Sequence, residues 1–121
     1  TWAAELGADF VGVNPLHALW NRGTEVSPYS PVTRLYRNVL YVDVEQVPEL
    51  AESEAARAML AREDVQEEAR RLREGDTVEY ERVARHKLPV LERLHATFAE
   101  RHRGQDTLRG RAYAEYLEEA G

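Results

Sequence analysis

The sequence predicts a mainly α-helical chain with one or two short β segments near its start. Three observations carry this. From Glu49 onward the chain is rich in Ala, Glu, Arg and Leu, all strong helix formers, with apolar residues recurring at helical spacing. Before Pro48 that composition is missing, and three of the five prolines fall between Asn14 and Asn38. Between these features and the N-terminus lies Asp9-Phe10-Val11-Gly12-Val13, a nearly continuous apolar run. Continuous rather than alternating apolar character suits a strand buried on both faces, as in a parallel sheet.

Taken in order, Trp2 to Leu6 reads as the end of a helix, with Gly7 as its stop. The run at 9–13 reads as the buried strand, ended by Asn14-Pro15. Helix, glycine, buried strand and long polar loop make the rhythm of an α/β protein. In a parallel α/β barrel, the loop after each strand forms the active-site face. Here that loop runs from Asn14 to about Asn38. Val39 to Val44 follows, as a second short strand or an extended packed segment.

The second half divides at its capping signals. Ser53 precedes a helix near 53–61. Asp64 with Glu67, and Asp76 with Glu79, have the spacing of capping boxes for helices near 64–74 and 78–102. In the longest helix Val83, Leu88, Leu91, Leu94 and Phe98 form one apolar stripe. Pro89 lies inside it and is expected to kink or split it. Gly104 ends that helix. Asp106 or Thr107 starts a last one through Ala120, with Leu108, Tyr113, Tyr116 and Leu117 as candidate contacts.

Composition excludes several functions. The chain has 121 residues, net charge −6 and 31% charged residues. A nucleic-acid or anionic-membrane surface needs clustered positive charge, which is not what this balance offers. No apolar run is long enough to span a bilayer, and the N-terminus has no signal-peptide pattern. Cysteine is absent, which removes disulfides and thiolate metal sites and agrees with a cytoplasmic location. Thr1-Trp2 already looks helical and Gly121 falls just after a helix pattern, so both ends read as cut from a longer protein.

The histidines are His17, His86, His95 and His102, and no two share the i, i+4 spacing of a zinc helix. No metal or cofactor is expected. His86, His95 and His102 read as surface or helix-flank residues. His17 follows the apolar run, and a hydrogen-bonding role there and a structural one are both open. Glu63, Glu67, Glu68, Glu74 and Glu79 read as solvated faces and caps. Asp43 in the apolar YVDVE reads as a buried structural acid before a site residue. No Ser-His-Asp order, phosphate-binding loop or dinucleotide glycine pattern occurs.

One stretch stands out: VSPYSPVTR, Val26 to Arg34. Each proline fixes its own φ and keeps the residue before it out of the helical region. Tyr29 therefore rides on a stiff loop. A flat apolar ring with a hydroxyl suits a sugar; a tyrosine packed beneath the loop is the competing reading.

The block GADFVGVNPLHAL, then SPYSP with Arg34, then NVLYVDV closely resembles the N-terminal barrel region of the 4-α-glucanotransferases. These are the amylomaltases or disproportionating enzymes of glycoside hydrolase family 77. TVEYERVARHKLPVLERLHATF looks, more loosely, like that family's helical insertion. The resemblance implies a piece of a cytoplasmic (β/α)₈ barrel, with residues 1–48 as a helix–strand piece bearing an active-site loop and 49–121 as the insertion. It implies transfer of α-1,4-glucan segments between maltooligosaccharides by a retaining mechanism on two carboxylates. In the family the catalytic acids come from later barrel strands, so no catalytic residue is assigned in this chain. Tyr29 matches the tyrosine that such enzymes stack on the sugar at the cleavage point, Ser27 the serine beside it and Pro28 the stiffening proline. Asn14 and His17 lie on the matching NPLHAL segment, and Arg34 matches the arginine after SPYSP. WNRGTEV and the VT after SPYSP depart from the family's usual pattern. By itself the chain is expected to be inactive and to self-associate. An alternative is a free-standing helical module that offers VSPYSPVTR to a protein partner; a buried strand at Phe10 to Val13 would discriminate against it. A carbohydrate-binding β-sandwich does not suit the helical content.

Overall fold

The computed structural model describes residues 2–120. The chain forms two compact units, Thr1–Tyr41 and Val42–Gly121. It is mainly helical, with one two-stranded sheet among the described residues.

The first unit opens on α1 (Trp2–Glu5). Gly7 takes a φ of +79°, and the Gly7 and Ala8 N–H groups donate to Ala4 and Ala3 carbonyls at 3.0 Å each. This pair of bonds is the glycine-based stop expected from the sequence. The sheet pairs β1 (His17–Ala18) with β2 (Thr33–Arg37), antiparallel, with His17 opposite Arg37 and Ala18 opposite Thr33. Val32 N–H donates to Ala18 O at 2.9 Å and Asn38 N–H to Leu16 O at 2.8 Å, extending the ladder past both ends. Leu19, Asn38 and Leu40 are buried.

Two β expectations are corrected here. Residues 10–13 form no strand, and Phe10 and Val13 are 85% and 77% exposed. A doubly buried parallel strand needs hydrogen-bonded neighbours on both edges, and among the described residues neither strand of the sheet pairs with it. The segment after Asn38 is not extended. It forms 3₁₀ turns at Val39–Tyr41 and Val44–Gln46. Side chains take the backbone donors that a ladder would need: Asn38 Oδ1 accepts from Leu40 N and Asp43 Oδ1 from Glu45 N, both at 3.1 Å. Asp43 is thus a cap, a structural role as expected, but it is exposed rather than buried.

The second unit holds α2 (Glu49–Glu52), α3 (Glu54–Leu60), α4 (Glu63–Glu74), α5 (Tyr80–Arg101) and α6 (Leu108–Ala120). Its core is Val44, Ala56, Val90 and Leu94, flanked by Val47, Leu50, Met59, Leu60 and Leu91. Helices α2, α3 and α4 all pack on α5. Ser53 caps α3 as expected, its Oγ accepting from Ala56 N at 3.3 Å. The other two caps are corrected. Arg62 chelates Asp64 at 2.9 and 2.6 Å, and Glu67 is taken by Arg70 and Arg71, so neither acid caps α4. Glu79 accepts from Arg82 and makes no side-chain cap to α5. Glu68 is more than a solvated face: Arg82 binds both its oxygens at 3.0 Å and ties α5 to α4.

Helix α5 runs unbroken through Pro89. Pro89 is exposed, and because it has no N–H the Arg85 carbonyl loses its helical partner. The buried face is Val90, Leu94 and Thr97, and Leu88 is exposed. Of the expected stripe, Leu94 is buried, Leu91 packs on the core and Val83 and Phe98 are half-buried, so Leu88 alone falls outside it. Thr97 can sit inside because its hydroxyl donates to Arg93 O at 3.1 Å.

The corner between α5 and α6 is polar and buried. Glu49 is 2% exposed and accepts from Arg109 Nε at 2.7 Å. His102, expected at the surface or on a helix flank, is buried at the end of α5. Its ring lies 3.0 Å from Thr107 Oγ1 and 3.1 Å from both Glu52 oxygens, which is what makes its burial tolerable. Burial pushes the Glu49 carboxyl up, but the Arg109 hydrogen bond, the backbone and the nearby positive charges outweigh it and hold Glu49 below the usual carboxylate range. A depressed folded pKa contributes stability above the unfolded value, lost as pH falls through the folded one. Arg109→Met is therefore expected to cost about 1–2 kcal/mol at neutral pH, discounted for a half-exposed guanidinium. Urea melts from neutral to acid pH should show the gap from wild type narrowing below about pH 4. A gap independent of pH would remove the charge from the explanation.

Candidate functional site

The site candidates lie in the segment before β1 (Asn14), in the loop that joins β1 to β2 (Ser27 and Tyr29) and on the two strands (His17 and Arg34). Each end of the loop is fixed by the ladder. Its first half is held by two asparagines the sequence reading did not single out. Asn21 Nδ2 donates to Asn38 Oδ1 at 3.1 Å, and Asn38 Nδ2 donates back to Asn21 Oδ1 at 2.9 Å. Asn21 Nδ2 also reaches Leu19 O at 3.2 Å. Asn21 sits at φ +56°, a left-handed conformation that Asn tolerates better than most side chains. Gly23 follows at φ +52°, and Glu25 N–H closes the turn on Arg22 O at 2.9 Å. The local signal was Asn-Arg-Gly, two residue types suited to positive φ in one turn. Asn38 as the distant partner had no local signal.

The second half is the SPYS turn. Ser30 N–H donates to Ser27 O at 3.1 Å, so Pro28 and Tyr29 are the central residues of a β-turn. Proline presets φ at the first central position. Ser27 Oγ accepts from Tyr29 N at 3.3 Å and fixes the backbone of the ring-bearing residue. Tyr29 is 71% exposed. It is not packed beneath the loop. Its hydroxyl donates to Asn14 Oδ1 at 3.0 Å, fifteen residues away.

The structure thus brings Asn14, Ser27 and Tyr29 together. It does not bring the other two candidates in by any hydrogen bond. His17 is half-buried on β1, and Arg34 is exposed on β2. Among the described residues, no group of three or more His, Asp, Glu or Cys side chains could hold a metal, and no helix is long and apolar enough to cross a membrane. The second unit has a groove of about 530 Å³ lined by Met59, Val65 and Val90 with Arg62 and Arg82 at its wall. Those two arginines are already paired, with Asp64 and Glu68, and the ring lining the groove is the imidazole of His86, with no Phe, Tyr or Trp beside it. Chemically, a phenol ring, an amide and a hydroxyl are neutral groups. They can stack on and hydrogen-bond a polar ring.

Comparison with known proteins covers the whole chain. A family model described as 4-alpha-glucanotransferase matches residues 1–121. The 4-alpha-glucanotransferase of Haemophilus influenzae is 36% identical over 120 residues, covering 98% of this chain and 17% of the relative. Those of Mycobacterium bovis and Mycobacterium tuberculosis are 36% identical over 103 residues, covering 78% of this chain and 14% of each relative. The chain spans under a fifth of the length of these relatives.

Proposed function

This chain belongs to the 4-alpha-glucanotransferase family, and from that premise we propose that it serves, within such an enzyme, as part of the wall that binds the glucan. Residues 1–48 are a piece of a (β/α)₈ barrel with its active-site loop, and 49–121 a helical insertion. The parent enzyme acts in the cytoplasm without a cofactor, passing α-1,4-glucan segments from one maltooligosaccharide to another with retention. That chemistry needs two carboxylates beside the scissile bond. They belong to parts of the enzyme outside this chain. Tyr29 and Ser27 contact the sugar, with Asn14, His17 and Arg34 around them.

The observation that carries the reading is the exposed Tyr29 ring, held by a proline turn, a Ser27 bond and an Asn14 bond. An aromatic held this way loses little entropy when a sugar stacks on it. The reading of the chain as a free-standing interaction module is not favoured, since the family match runs its full length. The exposed Phe10, Val11, Val13 and Leu35 support self-association of the chain by itself.

The test compares two proteins on maltotriose. The full-length gene product is expected to yield glucose and longer oligosaccharides, with new linkages in the α configuration. The 121-residue chain is expected to yield nothing above background. Disproportionation by the short chain, or none by the long one, would overturn the proposal.

A further inference from the structure

Asn14 and Tyr29 meet through one bond whose direction matters. The phenol proton goes to Asn14 Oδ1 at 3.0 Å. Two consequences follow from the donor and acceptor inventory of these groups. The phenol oxygen, its only proton spent, faces outward as an acceptor. The ring can no longer turn freely about its side-chain bonds, because its far end is tied to a second segment. The turn at Ser27–Ser30 fixes the Tyr29 backbone, and Asn14 fixes the tip of its side chain. An exposed aromatic side chain is otherwise free to sample several rotamers, a cost met at binding.

We infer that Asn14 is a positioning residue, acting through the Tyr29 hydroxyl rather than by its own contact with sugar. It orients the ring as a stacking platform and presents the phenol oxygen as an acceptor for one hydroxyl of the bound pyranose. The inference rests on the platform reading of Tyr29 given above. It differs from simple membership of a binding surface in one respect. Asn14 Nδ2, which has no partner among the described residues, is not the group that matters; Oδ1 is.

Two substitutions separate those atoms. Asn14→Asp keeps the oxygen acceptor and removes the amide donor. Asn14→Ala removes both. In the full-length enzyme, Asn14→Ala is expected to lower kcat/KM for maltotriose about five- to tenfold, the range of one lost hydrogen bond. Asn14→Asp should recover most of that loss. Tyr29→Phe keeps the ring and deletes the bond from the other side, so it should lose a similar factor. The double variant Asn14→Ala with Tyr29→Phe should be no worse than the poorer single one, because both delete the same interaction. Melting temperatures of all four should agree with wild type, as both residues are exposed.

An Asn14→Asp variant as poor as Asn14→Ala would mean that the amide donor touches the sugar, and would overturn the inference. So would multiplicative losses in the double variant, or an Asn14→Ala enzyme with unchanged kcat/KM. The underlying platform reading fails separately, by a Tyr29→Ala enzyme that transfers normally. If Tyr29→Ala is crippled while the double-variant losses multiply, the platform stands and the positioning role does not.

Discussion

Tyr29→Ala in the full-length enzyme is expected to lower kcat/KM for maltotriose about a hundredfold while leaving the melting temperature unchanged. A hundredfold is about 2.7 kcal/mol of lost transition-state stabilisation. Stacking on the ring supplies part of it. The remainder comes from alignment, since a sugar no longer seated on a fixed platform meets the catalytic carboxylates out of register. Stability should hold because the ring is 71% exposed and its hydroxyl bond lies at the surface; surface changes of this kind stay within about 0.5 kcal/mol. Steady-state kinetics beside a thermal melt read both quantities. A variant with wild-type kcat/KM would remove Tyr29 from the binding wall. A variant with a collapsed melt would assign it to the fold instead.

Gly110→Ala should be the most damaging single methyl in the second unit, costing about 2–3 kcal/mol of stability. Elsewhere in a helix interior the same change gains up to about 1 kcal/mol, because alanine is the better helix former. Here the sign reverses. A Cβ at Gly110 would lie 2.3 Å from both the His102 and Gln105 carbonyl oxygens, which are backbone and cannot swing aside. The turn from α5 to α6 would have to open. That turn carries His102 with its Glu52 and Thr107 partners, and Arg109 with Glu49. Forcing an extra methyl into such a contact typically costs 1–3 kcal/mol, and loosening the buried polar groups adds to it. Urea unfolding followed by helical circular dichroism reads the effect. Equal or greater stability would mean that the corner is less tightly closed than these distances require.

How legible was this in the sequence? Local signals held where both partners sit within a few residues. The Gly7 stop, the Ser53 cap and the stiff SPYS turn are such cases. The capping boxes at Asp64 and Asp76 misled because the helices start in another register, α4 at Glu63 and α5 at Tyr80, and because nearby arginines take Asp64 and Glu79, a competition the spacing rule does not weigh. The apolar run at Phe10 to Val13 carries a strand's composition, yet composition supplies no neighbour to pair with. His102 looked like a flank residue because its partner Glu52 is fifty positions away.

The sequence by itself determined the helical second half and the ring of Tyr29 on a proline-stiffened loop. These follow from propensity, fixed φ and hydrophobic spacing, which act within one turn or one loop. Tertiary structure alone decided which atoms meet: Asn14 with the Tyr29 hydroxyl, Asn21 with Asn38, and Glu49 and His102 with partners on other helices. Each of those contacts joins residues at least fifteen positions apart. Their formation depends on chain closure and on the cost of leaving a polar group buried without a partner, and neither is written in any local stretch.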